Sequence, residues 1–322
     1  MIQHTLYKAN HILVVTHIDP DGDAIGSLTA MGTALEQLNL PFTLACDDNV
    51  PPRFMYLPLA DRVVQRLDRY ADYDLVIALD CGDDGRMGNT FANLPHPRPF
   101  VINIDHHVTN TRFGDINVVE SAATSTAEVL HGLFPDLGVE LNQDIAESLL
   151  TGLVTDTLAF RTVGVSAHTM RVAADLVEAG ADLGAITMRA LNLRAYSTLL
   201  LWRTGLNHMN LEDGLIWTTI THQERQSVDF RSNSSVGLVN LMADVEEAAM
   251  SAVLMDLGNG FVKVGFRCRP PYNVAEVALQ LGGGGHPLAA GCTLNTSLDE
   301  AEATVVELCK QAIEQQAAVA QQ

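Results

Sequence analysis

The chain has 322 residues, 47% of them hydrophobic, with 39 acidic against 19 basic side chains and a formal charge of −20. That length accommodates two domains of ordinary size, and that apolar content excludes a disordered chain. The charge repels long nucleic acid, whose binding depends on neutralising many phosphates, so a nucleic-acid substrate must be short and held locally.

The first residues, Met1-Ile2-Gln3-His4-Thr5, lack the basic start and apolar core of a secretory leader. No apolar run approaches the ~20 residues of a membrane span. Cys46, Cys81, Cys268, Cys292 and Cys309 are odd in number and scattered, without a Cys-x-x-Cys pair. A cytoplasmic chain with free thiols and no membrane partner is expected. Cys81, beside an acid, reads as a small buried residue rather than a soft ligand.

The β-branched run over 12–15 predicts a buried strand, broken at Asp19-Pro20-Asp21-Gly22 and followed by a helix over 24–38. His17, Asp21 and Asp23 thus fall between the carboxyl end of a strand and a helix start, where open α/β sheets bind ligands. Their nitrogen and oxygen donors suit manganese, zinc, iron or magnesium. The competing reading is a solvated turn with a helix cap. A second strand is expected over 42–46, then a proline-broken connection over 48–58. The clearest strand covers 74–80 and ends in Asp80; another covers 99–104 and runs into Asp105-His106-His107. A helix over 144–154 delivers Thr155-Asp156-Thr157, and a second covers 166–179. Helical character from 183 to 202 reads as a connector, with Trp202 as packing.

The second part begins near Gly205. Strands are expected over 215–220 and 252–257, and Asn259-Gly260 between strand-like runs signals a hairpin. A short helix over 273–281 precedes Gly282-Gly283-Gly284-Gly285-His286, and a last helix covers 298–317. The fold class is therefore α/β: an N-terminal parallel-sheet domain with flanking helices over 1–188, a helical connector over 189–206, and a smaller α/β domain with a mixed sheet over 207–322.

Four separated segments place acid or imidazole at element ends that a parallel sheet brings to one edge. With His17-x-x-x-Asp21-x-Asp23, Asp80, Asp105-His106-His107 and Thr155-Asp156-Thr157, the chain resembles the DHH family of phosphoesterases. Gly282-Gly283-Gly284-Gly285-His286-Pro287-Leu288-Ala289-Ala290-Gly291 resembles the signature of the associated DHHA1 domain. The nearest branch in pattern is that of small bacterial nanoRNA exonucleases and pAp phosphatases. Leu158 stands where that branch commonly has glycine, and Cys268 where it commonly has serine.

The resemblance implies two divalent cations, manganese above all. His17, Asp21 and Asp80 would hold one; Asp23, Asp80, His106 and Asp156 would hold the other, with Asp80 bridging. It implies hydrolysis of very short oligoribonucleotides to mononucleotides, of pAp to AMP, or both. His107 is placed on the reacting phosphate or leaving oxygen, and Asp105 behind a ligand imidazole. Gly283, Gly284, Gly285 and His286, with Arg267 and Arg269, are candidates for the substrate's phosphates. Arg269 reads equally as a solvated charge, and the glycine run as a helix stop with a flexible loop. His4, His11, His96, His131, His168, His208 and His222 are assigned to structure or surface. The expected partner is a short RNA or nucleotide, with a second copy of the chain as the candidate for assembly. Hydrolysis of cyclic or linear signalling dinucleotides is the alternative within the class. A nucleotide-binding regulator without turnover is the alternative outside it, and intact residues in all four motifs count against it. A long-substrate exonuclease would need additional binding modules, and a pyrophosphatase would not carry the Gly-Gly-Gly-Gly-His segment.

Overall fold

The computed structural model describes residues 1–320 apart from 69–71, 95–96, 231–234 and 236, with side chains described to residue 318. His96 lies outside the described residues. The chain divides into two compact units, Met1–Leu193 and Arg194–Gln322.

The first unit is built on a five-stranded, wholly parallel sheet of β1 (Ile12–Val15), β2 (Phe42–Ala45), β3 (Leu75–Leu79), β4 (Phe100–Asp105) and β5 (Ile116–Val119), in the order β2-β1-β3-β4-β5. β1 and β3 are buried at every position because both of their faces are covered. Ile12, Val14, Leu75, Ile77 and Leu79 pack into a core with Ile25, Leu28 and Leu149. The alternate residues Leu13, Val15, Val76 and Ala78 pack with Met87 and Phe91. Pairing is in register to the carboxyl ends, with Val15 opposite Ala78 and Leu79 opposite Ile104. The order reverses between β1 and β3, so the residues leaving these strands flank a crevice.

Two helices pack on one face of the sheet, and one end of each reaches this edge. Gly22–Gln37 and Gln143–Asp156 approach closely because Gly26 and Gly152 face each other's backbone; a Cβ on Gly26 would lie 2.5 Å from the Ser148 carbonyl oxygen. The second helix continues through Asp156, beyond the end expected at 154, since Val154 and Leu153 remain in the core. Edge strand β5 and the helix Thr126–Leu137 were not foreseen, nor were the short helices Ile2–Leu6 and Gly88–Ala92.

The helical stretch expected over 183–202 falls into pieces. Leu183–Thr187 is α-helical, Met188–Asn192 is one π-helical turn, Leu193 and Ala195 are extended, and Tyr196–Asn207 is a separate helix. The half-buried Trp202 donates its indole N–H to the Ser235 carbonyl at 3.3 Å.

The second unit carries a mixed six-stranded sheet: β6 (Asn210–Glu212), β7 (Leu215–Ile220), β8 (Met250–Asp256), β9 (Val262–Cys268), β10 (Gly284–His286) and β11 (Ala289–Leu294), in the order β10-β11-β9-β8-β7-β6. Only β7 and β8 run parallel; the Asn259-Gly260 hairpin joins β8 and β9. The Leu298–Ala320 helix packs Ala301, Val305 and Cys309 on this sheet. All five cysteines are buried and unpaired. No helix among the described residues is long and apolar enough to cross a membrane.

Candidate metal centre

The turn after β1 does two jobs at once. The Asp21 carboxylate caps the Gly22–Gln37 helix, accepting from the N–H groups of Asp23 and Ala24 at 3.0 and 3.1 Å. The same oxygen lies 3.9 Å from His17 Nε2. The solvated cap and the ligand readings therefore describe one side chain. His17 is buried, and its Nδ1 lies 2.7 Å from the Ile18 carbonyl oxygen, to which it donates, leaving Nε2 toward the acids.

Asp80 follows β3 with φ +59°, its N–H bonded to the Ile104 carbonyl at 3.0 Å. Its carboxylate is almost wholly buried and its two oxygens face different partners. Oδ2 lies 3.5 Å from His17 Nε2, whereas Oδ1 lies 3.7 Å from His106 Nε2 and accepts from the Thr126 hydroxyl at 2.9 Å. His106 Nε2 is 3.2 Å from Asp156 Oδ2. Asp23 is fully buried and held by the start of the Thr126–Leu137 helix, accepting from the N–H groups of Thr126 and Ala127 at 2.6 and 3.0 Å.

The donor atoms fall into overlapping groups in which all lie within 4.8 Å of one another: His17, Asp21 and Asp80; Asp23, His106 and Asp156; and Asp80, Asp105, His106 and His107. All eight residues expected at this centre are thus brought together. Asp105 differs in its partner. Its Oδ1 accepts from His107 Nδ1 at 2.7 Å and from the His106 N–H at 2.8 Å, so it orients the ring of His107 rather than that of His106. Asn110 donates to its other oxygen at 2.5 Å.

Crowding leaves its mark on ionisation. Burial alone would depress His17, but hydrogen bonding to Asp80 and the charges of Asp80 and Asp21 hold its pKa up at about 9. His106 is likewise opposed by burial yet raised to about 10 by Asp156, Asp23 and Asp80. Burial, with the repulsion of Asp21 and Asp80 added, lifts Asp156 to about 6 against the hydrogen bond from His106. Burial and the charges of Asp80 and Asp156 raise Asp23 well above the carboxylate range. Burial also opposes ionisation of Asp80, but its three histidine neighbours hold it below that range. Carboxylates that share protons with neighbouring imidazoles are a donor set short of positive charge, and divalent cations fit it.

Sequence reasoning passed over Thr126, Arg86 and Asn110. Ser125-x-x-Glu128 was a readable capping signal for the helix that carries Thr126. Arg86 and Asn110 lie on loops with no such pattern.

The second unit places the other candidates. The glycine run is largely strand: Gly284–His286 pairs antiparallel with β11, Gly284 opposite Gly291. Two of its glycines are required by contact. A Cβ on Gly283 would lie 2.2 Å from the Gly291 carbonyl oxygen, and Gly285 has φ +143° and faces the Ala289 carbonyl oxygen. Arg269 donates to the carbonyl oxygens of Glu246 and Ala248 at 2.8 and 2.6 Å, and Arg267 to that of Phe266 at 2.7 Å. Cys268 is buried, its thiol donating to the carbonyls of Tyr272 and Pro287. Of the remaining histidines, His11 bonds Thr43, His131 pairs with Asp175, and His208 with Glu224.

Residues 11–153 match the N-terminal domain of the DHH family and residues 221–315 the DHHA1 domain. The chain is 36% identical over 302 residues to a Thermus thermophilus protein named bifunctional oligoribonuclease and PAP phosphatase NrnA, covering 93% of this chain and 89% of that one. The chain belongs to the DHH family. A Bacillus subtilis protein of the same name is 24% identical over 317 residues, covering 95% and 97% of the two chains. The DHH fold is also that of an exopolyphosphatase-related protein from Bacteroides fragilis, whose crystal structure superposes with a TM-score of 0.89 at 23% identity, covering 100% of this chain and 96% of that one. The DHH match contains every member of the centre except Asp156, which the Gln143–Asp156 helix delivers to His106.

Proposed function

We propose that this protein is a divalent-metal-dependent phosphoesterase that hydrolyses very short oligoribonucleotides to mononucleotides and pAp to AMP. The observation that carries the reading is Asp80, one carboxylate whose two oxygens serve two adjoining donor groups. Relatives bearing the oligoribonuclease and PAP phosphatase name support the substrate class. A cytoplasmic setting suits five buried, unpaired thiols.

His17, Asp21 and Asp80 would hold one cation and Asp23, Asp80, His106 and Asp156 a second, with manganese favoured by the mixed imidazole and carboxylate donors. Such ions supply activation of the attacking water and neutralisation of charge at phosphorus. The chain's own part is to fix donors and protons. Ile18 and Asp105 fix the Nδ1 protons of His17 and His107. His107 Nε2 is then the atom that meets the reacting phosphate or protonates the departing oxygen. Residues 1–188 carry this chemistry; residues 207–322, through Arg267, Gly283, Gly284, Gly285 and His286, bind substrate phosphate. Arg269 retains Nη1 and Nε for that purpose, its Nη2 being engaged with two carbonyls.

The test is one manganese-supplemented assay across pAp, pApA, a 5-mer and a 24-mer RNA, cyclic di-AMP and pyrophosphate. Release of mononucleotide from pAp, pApA and the 5-mer, absent in chelator, is expected. Inertness toward all three with manganese present overturns the reading.

A further inference from the structure

We propose that Arg86 binds the phosphate under attack, an assignment that rests on the phosphoesterase reading and adds a residue outside the expected set. Arg86 sits in the short turn Asp84–Met87 after β3. Its main chain is pinned to the centre: its N–H is bonded to Asp83 Oδ1 at 3.2 Å, and its carbonyl accepts the N–H of Ile18 at 2.9 Å, one residue from His17. Its side chain is exposed, and Nη2 reaches to 3.2 Å from His17 Nδ1. That nitrogen already carries the proton it gives to Ile18 at 2.7 Å, so it offers Arg86 no lone pair. The guanidinium thus faces the Nδ1 edge of His17, a donor toward a donor, while Nε2 of the same ring faces the acids. Among the described residues it forms no ion pair with a carboxylate, although Asp80 and Asp21 are the neighbours of the same imidazole.

A cation held at the edge of an acidic centre without being consumed by it is suited to an anion arriving from outside. A guanidinium fork matches two phosphate oxygens, and its charge resists the repulsion that the acids exert on a nucleotide. The guanidinium and the acids Asp21 and Asp80 flank the same imidazole, so an anion bound by Arg86 arrives one ring's width from the donor group formed by His17, Asp21 and Asp80. The substrate's reacting phosphate is the group chemically suited to this position.

The test compares wild type, Arg86→Gln and Arg86→Lys, each loaded with manganese. Three properties are measured: affinity by calorimetry for AMP, the product that keeps the attacked phosphate of pApA; kcat/KM on pApA; and manganese content with Tm. Arg86→Gln should weaken AMP binding and lower kcat/KM by about ten- to a hundredfold, the effect of one charged hydrogen-bonding group. Manganese content and Tm should stay unchanged. Arg86→Lys should retain part of both functions, and added guanidinium should partly restore Arg86→Gln. Unchanged AMP affinity and kcat/KM in Arg86→Gln, loss of manganese with the side chain, or no AMP binding by the wild type overturns the assignment. A wild type that binds AMP but turns over neither pAp nor short RNA defeats the phosphoesterase reading. The AMP comparison then still decides the role of Arg86.

Discussion

Asp80 stands in the left-handed backbone region, where a side chain other than glycine costs about 1 kcal/mol or more. The bond from its N–H to Ile104 holds it there, and the reward is a carboxylate turned back across the strand ends toward both histidines. His107 shows the same economy of position, its Nδ1 fixed by the Asp105 carboxylate at 2.7 Å. Replacing it by alanine should cut kcat about a hundredfold or more while leaving KM for pAp and the bound manganese nearly unchanged, the pattern of a group acting in the transition state. Steady-state kinetics with a metal count reads this, and loss of metal in His107→Ala would make it a ligand instead. Protons and cations compete for the other two imidazoles. In the metal-free chain His17 and His106 titrate at about 9 and about 10. Raised above the ordinary histidine value, they contribute stability that is full below about pH 6.5 and lost as pH rises through those two values. Manganese must displace the same protons, so its affinity rises with pH. The gain in Tm on adding manganese to chelator-treated protein should therefore grow from about pH 6 to about pH 8.5. A gain independent of pH would show that these imidazoles are not ligands.

Two glycines decide how closely the Gly22–Gln37 and Gln143–Asp156 helices approach on the sheet face. A Cβ on Gly152 would lie 2.5 Å from Asp23 Oδ1 and 2.8 Å from the Ala127 Cβ. Gly152→Ala should destabilise the fold by about 1–3 kcal/mol through overpacking and weaken metal binding by displacing Asp23. Denaturant unfolding with a manganese titration checks both, and unaltered metal affinity would remove Asp23 from the ligand set. Beyond the Gln143–Asp156 helix, Leu158, Ala159 and Phe160 are all left-handed. Leu158→Gly relieves about 1–2 kcal/mol of that strain but loosens the unfolded chain by about 0.4–1 kcal/mol, so a small rise in Tm is expected. The elements around the centre were readable where pattern and burial coincide, as in β1, β3 and β4, whose near-continuous apolar runs follow from cover on both faces. β5 escaped because an edge strand of four half-buried residues leaves little periodicity. The glycine run was read as a loop because strand pairing of Gly284–His286 depends on β11, which lacks a strong pattern of its own. No glycine or proline marks the break at Leu193 and Ala195, where packing of the two units' separate cores overrides local helix preference.

At the scale of the molecule, a formal charge of −20 and a centre built from acids set the terms for substrate. Each added nucleotide brings another phosphate into a repulsive field, so rates should fall from dinucleotide through pentamer to 24-mer. A time course over that series at fixed ionic strength measures it, and a 24-mer degraded faster than pApA would contradict it. The substrate role of the second unit is tested by His286→Ala, which should raise KM for pAp yet spare bis-p-nitrophenyl phosphate, a substrate with no second phosphate to hold. Equal slowing of both would place His286 in the chemical step or the fold. Membership of the DHH family rests on most of the chain, but the centre itself rests on Asp80. The most direct measurement is therefore the number of manganese ions bound per chain at equilibrium, by elemental analysis after dialysis, in the wild type and in Asp80→Asn, with Tm as a check on folding. A shared carboxylate requires about two ions in the wild type and fewer than about one in a folded Asp80→Asn, whose amide neither bridges nor balances charge. A single ion in the wild type, or an undiminished count in the variant, would contradict it.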